Sequence, residues 1–396
     1  MRPALVLLVV ALVSVGCAQA PPTDTDVVFF QSQRGITATD SGGAVSSADA
    51  TVANHDWSRL YAVRGDRLVT LAAGTNRQLA AARVPSGLTA RVVSTSGTQV
   101  ALTDGRVTGR SSTTIVIADP SGARPARTLD LPGNFEPEAF SADDAHLFVL
   151  EYLPATAPDR YRVRRVELSA GLVQPLLLRD KRIVPPGAEE EMRGEGRQAV
   201  LSPDRTRLYT LYLHQGEHQH TRDLLGGGEG RTVHAFVHVL SLTEGWAYCL
   251  DLPDPFGHHA AGAHALAVSP DGARLYVGEL TTKRIAVADT ANLTVTRVGT
   301  LADNGSGGAG AAMAVAPDGA TLYVGAANLL RRVDATTLRV DGTWSLPAPV
   351  RGLTVRPDGR QLFVGQTDRV ARVDAATGRV LDTFAAAGLR AVVRSR

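Results

Sequence analysis

The stretch ALAVSPDGARLYVG, residues 265–278, decides the fold, because it returns with small changes along most of the chain. Two apolar runs flank the tetrapeptide Ser269-Pro270-Asp271-Gly272 at its centre. Proline presets φ at the second position of a type I turn, and glycine suits the fourth. The stretch therefore predicts two short antiparallel strands joined by a tight turn.

Near-copies of this unit occupy residues 200–212, 314–325 and 353–365, and looser copies occupy residues 52–63, 93–102 and 140–150, which makes seven repeats. The strand after each turn begins at Leu60, Val100, Leu147, Leu208, Leu275, Leu322 and Leu362, with spacings of 40, 47, 61, 67, 47 and 40 residues. A period near 40 with short strands and no helical periodicity is typical of a β-propeller blade.

A second hairpin signal recurs within the blades, as at residues 288–290, 333–337 and 373–378, where Asp and polar or Gly residues end a strand. With this signal the repeats resemble those of the YVTN-type and WD40-like propellers of bacterial envelope proteins, over about residues 27–396. The resemblance implies an all-β protein, a propeller of four-stranded antiparallel blades in one domain.

The two ends of the chain supply parts of one further blade. Residues 28–40 align without a gap on residues 362–374, which start at the second strand of a blade, and residues 391–394 resemble the first strand at 353–356. Pairing of the two ends would close the ring and give eight blades. Residues 41–55 leave only fifteen positions for two strands and two turns, so a seven-bladed ring with loose ends is the alternative.

The amino terminus has the features of an export signal. Met1 and Arg2 precede a short apolar run at residues 4–13, which predicts a signal peptide over residues 1–16. Residues 15–17 resemble a bacterial lipobox, although Ser14 departs from its usual aliphatic residue, and imply acylation of Cys17 with residues 17–26 as a tether. Cleavage after Ala20, which would release a secreted protein, is the alternative. Either route predicts an extracytoplasmic location.

Composition excludes some classes of function. The formal net charge is +2 with acidic and basic residues interspersed, so the sequence lacks the basic footprint of a nucleic-acid-binding protein. Only two cysteines are present, so acylation or removal of Cys17 would leave no intrachain disulfide. We expect a monomer that contacts the membrane only through its lipid anchor.

The additional residues of the longer repeats fall in two classes of connection between strands. Residues 153–160 and 215–231 join second to third strands, whereas residues 179–196 and 253–262 lead into first strands. Both classes emerge on the same face of a propeller. Extra length on one face indicates a binding surface, and drift of unconstrained surface loops is the alternative.

Histidine is concentrated in this region, with eight of the ten between residues 214 and 264. Imidazole is a common ligand of zinc and copper, and Glu217 or Asp223 could add an oxygen ligand. The candidate metal ligands are His214, His218, His220, His258, His259 and His264. A solvated polar loop without metal is the alternative interpretation.

Glu136 and Glu138 head a predicted innermost strand at the mouth of the channel. Propeller lactonases, which the chain resembles in fold, place metal-binding carboxylates there; a surface or hydrogen-bonded pair is the alternative. No nucleophile elbow, zinc-protease motif or phosphate-binding loop is present, so no catalytic residue is assigned.

Two functions are compatible with these observations. The leading hypothesis is an exported cell-surface lipoprotein whose propeller is a binding or scaffold module for a protein, a peptide or an envelope polymer. The alternative is an extracytoplasmic metal-dependent lactonase or lyase-type enzyme. The partner itself is not identified by the sequence.

Overall fold

The computed structural model describes residues 26–40, 45–47, 49–105, 108–178, 191–215, 234–303, 308 and 310–396. Over these ranges the chain forms 33 strands and one 3-10 turn at Ala261–Ala263. The strands assemble into eight sheets. No helix in the described ranges is long and apolar enough to cross a membrane. The chain is an all-β protein, as the repeats predict.

The strands follow the repeats in chain order. The first three are β1 (Val27–Ser32), β2 (Gly35–Asp40) and β3 (Val45–Ser47). Blade 1 contains β4 (Val52–Ala53), β5 (Arg59–Arg64), β6 (Arg67–Ala72) and β7 (Gln78–Arg83). Blade 2 contains β8 (Thr89–Val93), β9 (Val100–Thr103), β10 (Ser112–Ala118) and β11 (Arg127–Pro132). Blade 3 contains β12 (Asn134–Phe140), β13 (His146–Leu153), β14 (Arg160–Glu167) and β15 (Leu172–Pro175).

The second half continues the pattern. Blade 4 contains β16 (Leu177–Leu178), β17 (Glu195–Leu201), β18 (Arg207–Leu213), β19 (Ala235–Ser241) and β20 (Trp246–Asp251). Blade 5 contains β21 (His264–Val268), β22 (Arg274–Glu279), β23 (Arg284–Asp289) and β24 (Thr294–Thr300). Blade 6 contains β25 (Ala312–Val315), β26 (Thr321–Ala326), β27 (Leu329–Asp334) and β28 (Val340–Ser345). Blade 7 contains β29 (Leu353–Val355), β30 (Gln361–Gln366), β31 (Arg369–Asp374) and β32 (Val380–Ala385), and the last strand is β33 (Ala391–Ser395).

The eighth blade joins the two ends of the chain. Its strand order is β3-β2-β1-β33, so the last strand of the chain is the innermost one. Phe30 on β1 is opposite Val392 on β33, and both side chains pack in one buried cluster with Phe363. The eight-blade prediction is confirmed, and the seven-bladed alternative is wrong. The short segment at residues 41–55 holds both strands because β3 has only three residues and β4 only two.

The repeated turn is held by its own side chains. The N–H of Gly272 donates to the carbonyl of Ser269 at 2.8 Å, which closes the turn. The Ser269 hydroxyl accepts a bond of 2.9 Å from the N–H of Arg274 and donates to Asp271 Oδ1 at 2.5 Å. Asp271 Oδ1 also accepts the N–H of Ala273 at 3.0 Å. The turn thus satisfies part of its polar groups with its own side chains, and the Thr290 hydroxyl donates a further bond of 2.6 Å to the Gly272 carbonyl.

The fourth position of the turn is left-handed in all seven repeats that the structure describes. Glycine stands there in four of them, at Gly97, Gly272, Gly319 and Gly359, with φ between 70° and 73°. The other three have a side chain there: Trp57, Asp144 and Arg205, with φ of 59°, 58° and 62°. Residues other than glycine rarely adopt this conformation, so these three turns carry local strain.

The core is divided among the junctions between blades. Each junction buries the facing apolar side chains of two sheets, and a tyrosine in the second strand of some blades adds a hydrogen bond. The Tyr276 hydroxyl donates to the Ala335 carbonyl of the next blade at 3.1 Å, and Tyr323 does the same to Ala375 at 3.1 Å. Hydrophobic burial and these bonds together hold neighbouring blades in place.

Blade 4 differs from the repeat pattern. After β15 the chain leaves blade 3, and β16 pairs in parallel with β20, the outer strand of blade 4. Blade 4 therefore has five strands, which the repeat pattern does not predict. The cause is the long spacing between the third and fourth repeats, which supplies the additional residues.

Candidate functional site

The four long connections begin and end on one face of the ring, which we call the loop face. Here β13 ends at Leu153 and β14 begins at Arg160, while β20 ends at Asp251 and β21 begins at His264. The other two connections follow β16 and β18. The repeated tight turns lie on the opposite face, the turn face. Residues 179–190 and 216–233, with the predicted ligands His218, His220, Glu217 and Asp223, lie outside the described residues, as does Cys17.

His264 opens the innermost strand of blade 5 and is fully buried. Its Nε2 accepts a hydrogen bond of 3.1 Å from the N–H of Gly257, and its Nδ1 donates to the Ala260 carbonyl at 3.2 Å. Burial is the main cause that lowers the pKa of His264. The ring is therefore neutral and ties the preceding connection to blade 5, and in this arrangement neither nitrogen offers a lone pair to a metal ion.

Glu279 ends β22 beside His264 and is fully buried. Its carboxylate accepts the N–H groups of Thr281 and Thr282 at 2.9 and 3.0 Å and the Thr282 hydroxyl. Burial raises the pKa of Glu279, but the hydrogen bonds from Thr282 and Thr281 outweigh it and hold this pKa below its usual value. Glu279 is thus an ionised carboxylate beneath the loop face.

His259 and His214 lie together above Glu279. His259 Nδ1 is 3.4 Å from Glu279 Oε1, and His214 Nε2 is 3.0 Å from the carbonyl oxygen of His259. His214 Nδ1 lies 3.7 Å from Glu195 Oε1. A carboxylate behind an imidazole is the arrangement that orients histidine toward a ligand in many metal sites.

His258 belongs to a separate pair. Its Nε2 lies 2.8 Å from Asp254 Oδ1, and its ring lies against that of His234, with ring centroids 4.0 Å apart. Of the candidate ligands, the structure thus places His214 and His259 at one position on the loop face and His258 at another. No three histidine, cysteine or acidic side chains in the described ranges are arranged to hold a metal ion. Whether the histidines bind metal stays a prediction.

Glu136 and Glu138 have different surroundings although they share β12. Glu136 forms an ion pair with Arg91 of blade 2, and the Tyr152 hydroxyl lies 3.4 Å from its Oε2. Glu138 sits at a β-bulge between Pro137 and Ala139, and its Oε2 is buried without a hydrogen-bond partner in the described part of the chain. Burial raises the pKa of Glu138 to about 7.

Sequence reasoning missed the groups that surround Glu138. Tyr161 and Tyr212 pack with ring centroids 5.5 Å apart, and Tyr152 lies 5.9 Å from Tyr161. These tyrosines come from three different strands, so no motif of adjacent residues marks them. The only signal was that blades 3 and 4 contain four extra tyrosines beyond the one that the repeat itself predicts.

Sequence comparison yields no matching protein-family model and no matching curated protein. The fold matches solved structures. The fold is that of a WD40-like β-propeller. AztD from Citrobacter koseri matches this propeller with a TM-score of 0.58 at 12% identity, covering 94% of this chain and 97% of that one.

Two further structures share the propeller. One is described as dihydro-heme d1 dehydrogenase NirN in complex with DHE, with a TM-score of 0.56 at 14% identity over 97% of this chain and 77% of that one. The other is Sqt1 of Saccharomyces cerevisiae, with a TM-score of 0.52 at 10% identity over 85% of this chain and 84% of that one. At these identities the likeness concerns the fold alone, and the YVTN-type repeat assignment stays a prediction.

Proposed function

We propose that the propeller is an exported cell-surface lipoprotein that binds a protein, a peptide or an envelope polymer through its loop face. The observation that carries this proposal is the difference between the two faces. The repeated turns of the turn face are short, and in Ser269–Gly272 the side chains of Ser269 and Asp271 bond within the turn and to the residues that follow it. The connections over blades 3 to 5 are longer than the fold requires, and the described ones, residues 153–160 and 253–262, present polar side chains such as Asp159 and Asp254 to solvent.

The exposed residues of the loop face suit polar recognition. Side chains of His258 and His214 are each 41% exposed, and Asp254 beside His258 is 82% exposed. Beneath them Glu279 and His264 are buried and hydrogen-bonded, so the exposed groups stand on a rigid base. A rigid base lowers the entropic cost of binding.

Site-specific photocrosslinking tests this proposal. A photoreactive residue at His258, on the loop face, should crosslink to a component of envelope extract. The matched control is the same residue at Arg360, which is exposed on the turn face. Equal crosslinking from both positions, or crosslinking from Arg360 alone, would count against a binding surface on the loop face.

Lipid attachment is tested separately. Growth with a fatty acid that carries an alkyne should label the protein, and Cys17→Ser should abolish the label. Labelling that persists in Cys17→Ser would exclude this anchor. Release of an unlabelled protein that begins after Ala20 would support secretion instead.

A metal-dependent enzyme is the second candidate, and the close approach of His259 to Glu279 favours it. Calorimetric titration of Zn²⁺ or Cu²⁺ into the metal-free, tag-free protein tests it, with lactone hydrolysis as the activity assay. His214→Ala/His259→Ala should lose binding, while His146→Ala, far along the chain in blade 3, should keep it. Equal binding by both variants, or none by the wild type, would remove metal from the function.

A further inference from the structure

The junction between blades 3 and 4 differs from its neighbours at the inner rim of the ring. The innermost strands of blades 4, 5, 6, 7 and 8 contact one another in sequence around the channel, whereas β12 and β17 approach each other less closely. Tyr152, Tyr161 and Tyr212 pack in this junction, with Met192 buried beside them. The loop-face end of this junction is therefore lined by phenol rings.

Glu138 enters this junction from the bulge in β12. A bulge re-aims the side chain of its extra residue, and here the ladder passes from Pro137 to Ala139 without pairing Glu138. Its carboxyl group interacts electrostatically with the phenol of Tyr212. After burial, this interaction is the largest of the causes that raise the pKa of Tyr212. Glu138 thus lies among the tyrosines, in the junction of blades 3 and 4.

Among the described residues, none forms an ion pair with Glu138. Glu136 two residues earlier forms its ion pair with Arg91, so that pair adds no net charge. Glu138 Oε2 is buried and accepts no hydrogen bond from the described residues. Most buried carboxylates have a partner, because desolvation of an unpaired acid is costly. The titratable and charged groups around it are Arg91, Glu136, Tyr152, Tyr161, Tyr212 and Cys249.

We propose that Glu138 binds a primary ammonium group in the junction of blades 3 and 4. An ammonium group has three N–H donors and carries the charge that Glu138 lacks opposite it. Phenol oxygens accept such donors, and phenol rings attract cations. Tyr152 and Tyr212 stand near the ends of β13 and β18, and Tyr161 stands near the start of β14, so this site lies at the loop-face end of the junction.

Other ligands fit this junction less well. A divalent hard cation needs six or more oxygen ligands, and the second carboxylate of the junction already pairs with Arg91. An anion would be repelled by the carboxylate of Glu138. A quaternary ammonium ion has the charge but no N–H donor, so it could not satisfy the unpartnered oxygen. The chemistry therefore selects a cation with N–H donors.

Titration calorimetry of 1,4-diaminobutane into the purified protein at pH 8 tests the proposal. We expect saturable binding that Glu138→Gln weakens at least tenfold, while the matched control Glu244→Gln, at an exposed position of blade 4, binds as the wild type does. At pH 5.5, where Glu138 is protonated, binding should weaken as well. N-acetyl-lysine amide distinguishes the source of the ammonium group. If it also binds, the ligand is a lysine side chain. If only the diamine binds, the ligand is a free amine.

Three results would overturn the proposal. They are the absence of binding by either amine, unchanged binding in Glu138→Gln, and tetramethylammonium binding as tight as that of the diamine. Glutamine has the size of glutamate, and the carboxyl group makes no hydrogen bond through Oε2, so Glu138→Gln should fold. Thermal melting of the variant checks this directly.

Discussion

Thr210 on β18 lies directly opposite His238 on β19, and both are buried with a polar side-chain atom that has no hydrogen-bond partner among the described residues. The atoms are Thr210 Oγ1 and His238 Nδ1. Tyr212, two residues along β18, meets the His238 ring edge-on at a centroid distance of 6.3 Å. Burial lowers the pKa of His238 to about 4, so this imidazole is neutral in the folded protein at neutral pH.

His238 should make the protein less stable in acid. An unfolded histidine titrates near pH ~6.5, so between about pH 6.5 and 4 the unfolded chain binds a proton that the folded protein excludes. The stability lost across this range is on the order of 3 kcal/mol. We expect His238→Phe to flatten the fall in melting temperature between pH 6.5 and 4. A fall as steep as that of the wild type would contradict this prediction.

Glu138 should have the opposite effect. Its folded pKa of about 7 lies above the value of an unfolded glutamate, so the folded protein holds a proton that the unfolded chain releases. Stability therefore decreases as pH rises from about 4.5 to 7, again by on the order of 3 kcal/mol. Glu138→Gln should raise the melting temperature at pH 8 and leave it unchanged at pH 4. An equal change at both pH values would show that ionisation is not the cause.

Arg205 occupies a left-handed turn position where four other repeats have glycine. The left-handed conformation destabilises a residue other than glycine by about 1–2 kcal/mol. Replacement by glycine removes this strain, but part of the gain in stability is lost because glycine raises the entropy of the unfolded chain. We expect Arg205→Gly to stabilise the protein by about 0.5–1 kcal/mol in chemical unfolding. The control Arg205→Ala keeps the strained φ and should not increase the stability. Equal effects of both variants would refute backbone strain as the reason.

The tyrosine hydrogen bonds between blades can be tested with a matched pair of variants. Tyr276→Phe removes a buried bond to Ala335 and should cost about 1 kcal/mol. Tyr61 has the same position in blade 1, but its hydroxyl has no partner in the described structure, because Thr70 donates to the Pro120 carbonyl at 3.0 Å instead. Tyr61→Phe should therefore be neutral or stabilising. Equal losses in both variants, measured by urea unfolding, would contradict this.

Much of the fold was predictable because each repeat encodes its own turn. Pro270 and Gly272 have local conformational preferences, so their meaning does not depend on distant residues. The shared blade was also predictable, since residues 28–40 match residues 362–374 position by position. The addition of β16 to blade 4 was not, because a two-residue parallel strand has no periodicity of its own.

The candidate site was less predictable, because it depends on tertiary contacts. His264 looked like a rigid metal ligand in the sequence, yet its nitrogens bond to backbone groups of Gly257 and Ala260, which any sequence could supply. Glu136 and Glu138 looked equivalent. A one-residue bulge separates them, so one meets Arg91 and the other meets no partner. Bulges have no sequence signature strong enough to reveal this difference.

The pairing of β1 with β33 also sets the order of events in folding. Val27 and Arg396 exchange backbone hydrogen bonds of 3.0 and 2.9 Å, although they stand at opposite ends of the described chain. Blades 1 to 7 can each form from local contacts during synthesis, but β1 lacks its inner neighbour until residues 391–395 arrive. Until then an apolar strand edge is exposed, and the chain is open to aggregation and to the proteases of its compartment. We therefore expect the pairing of β33 with β1 to be a slow, long-range step that completes the ring.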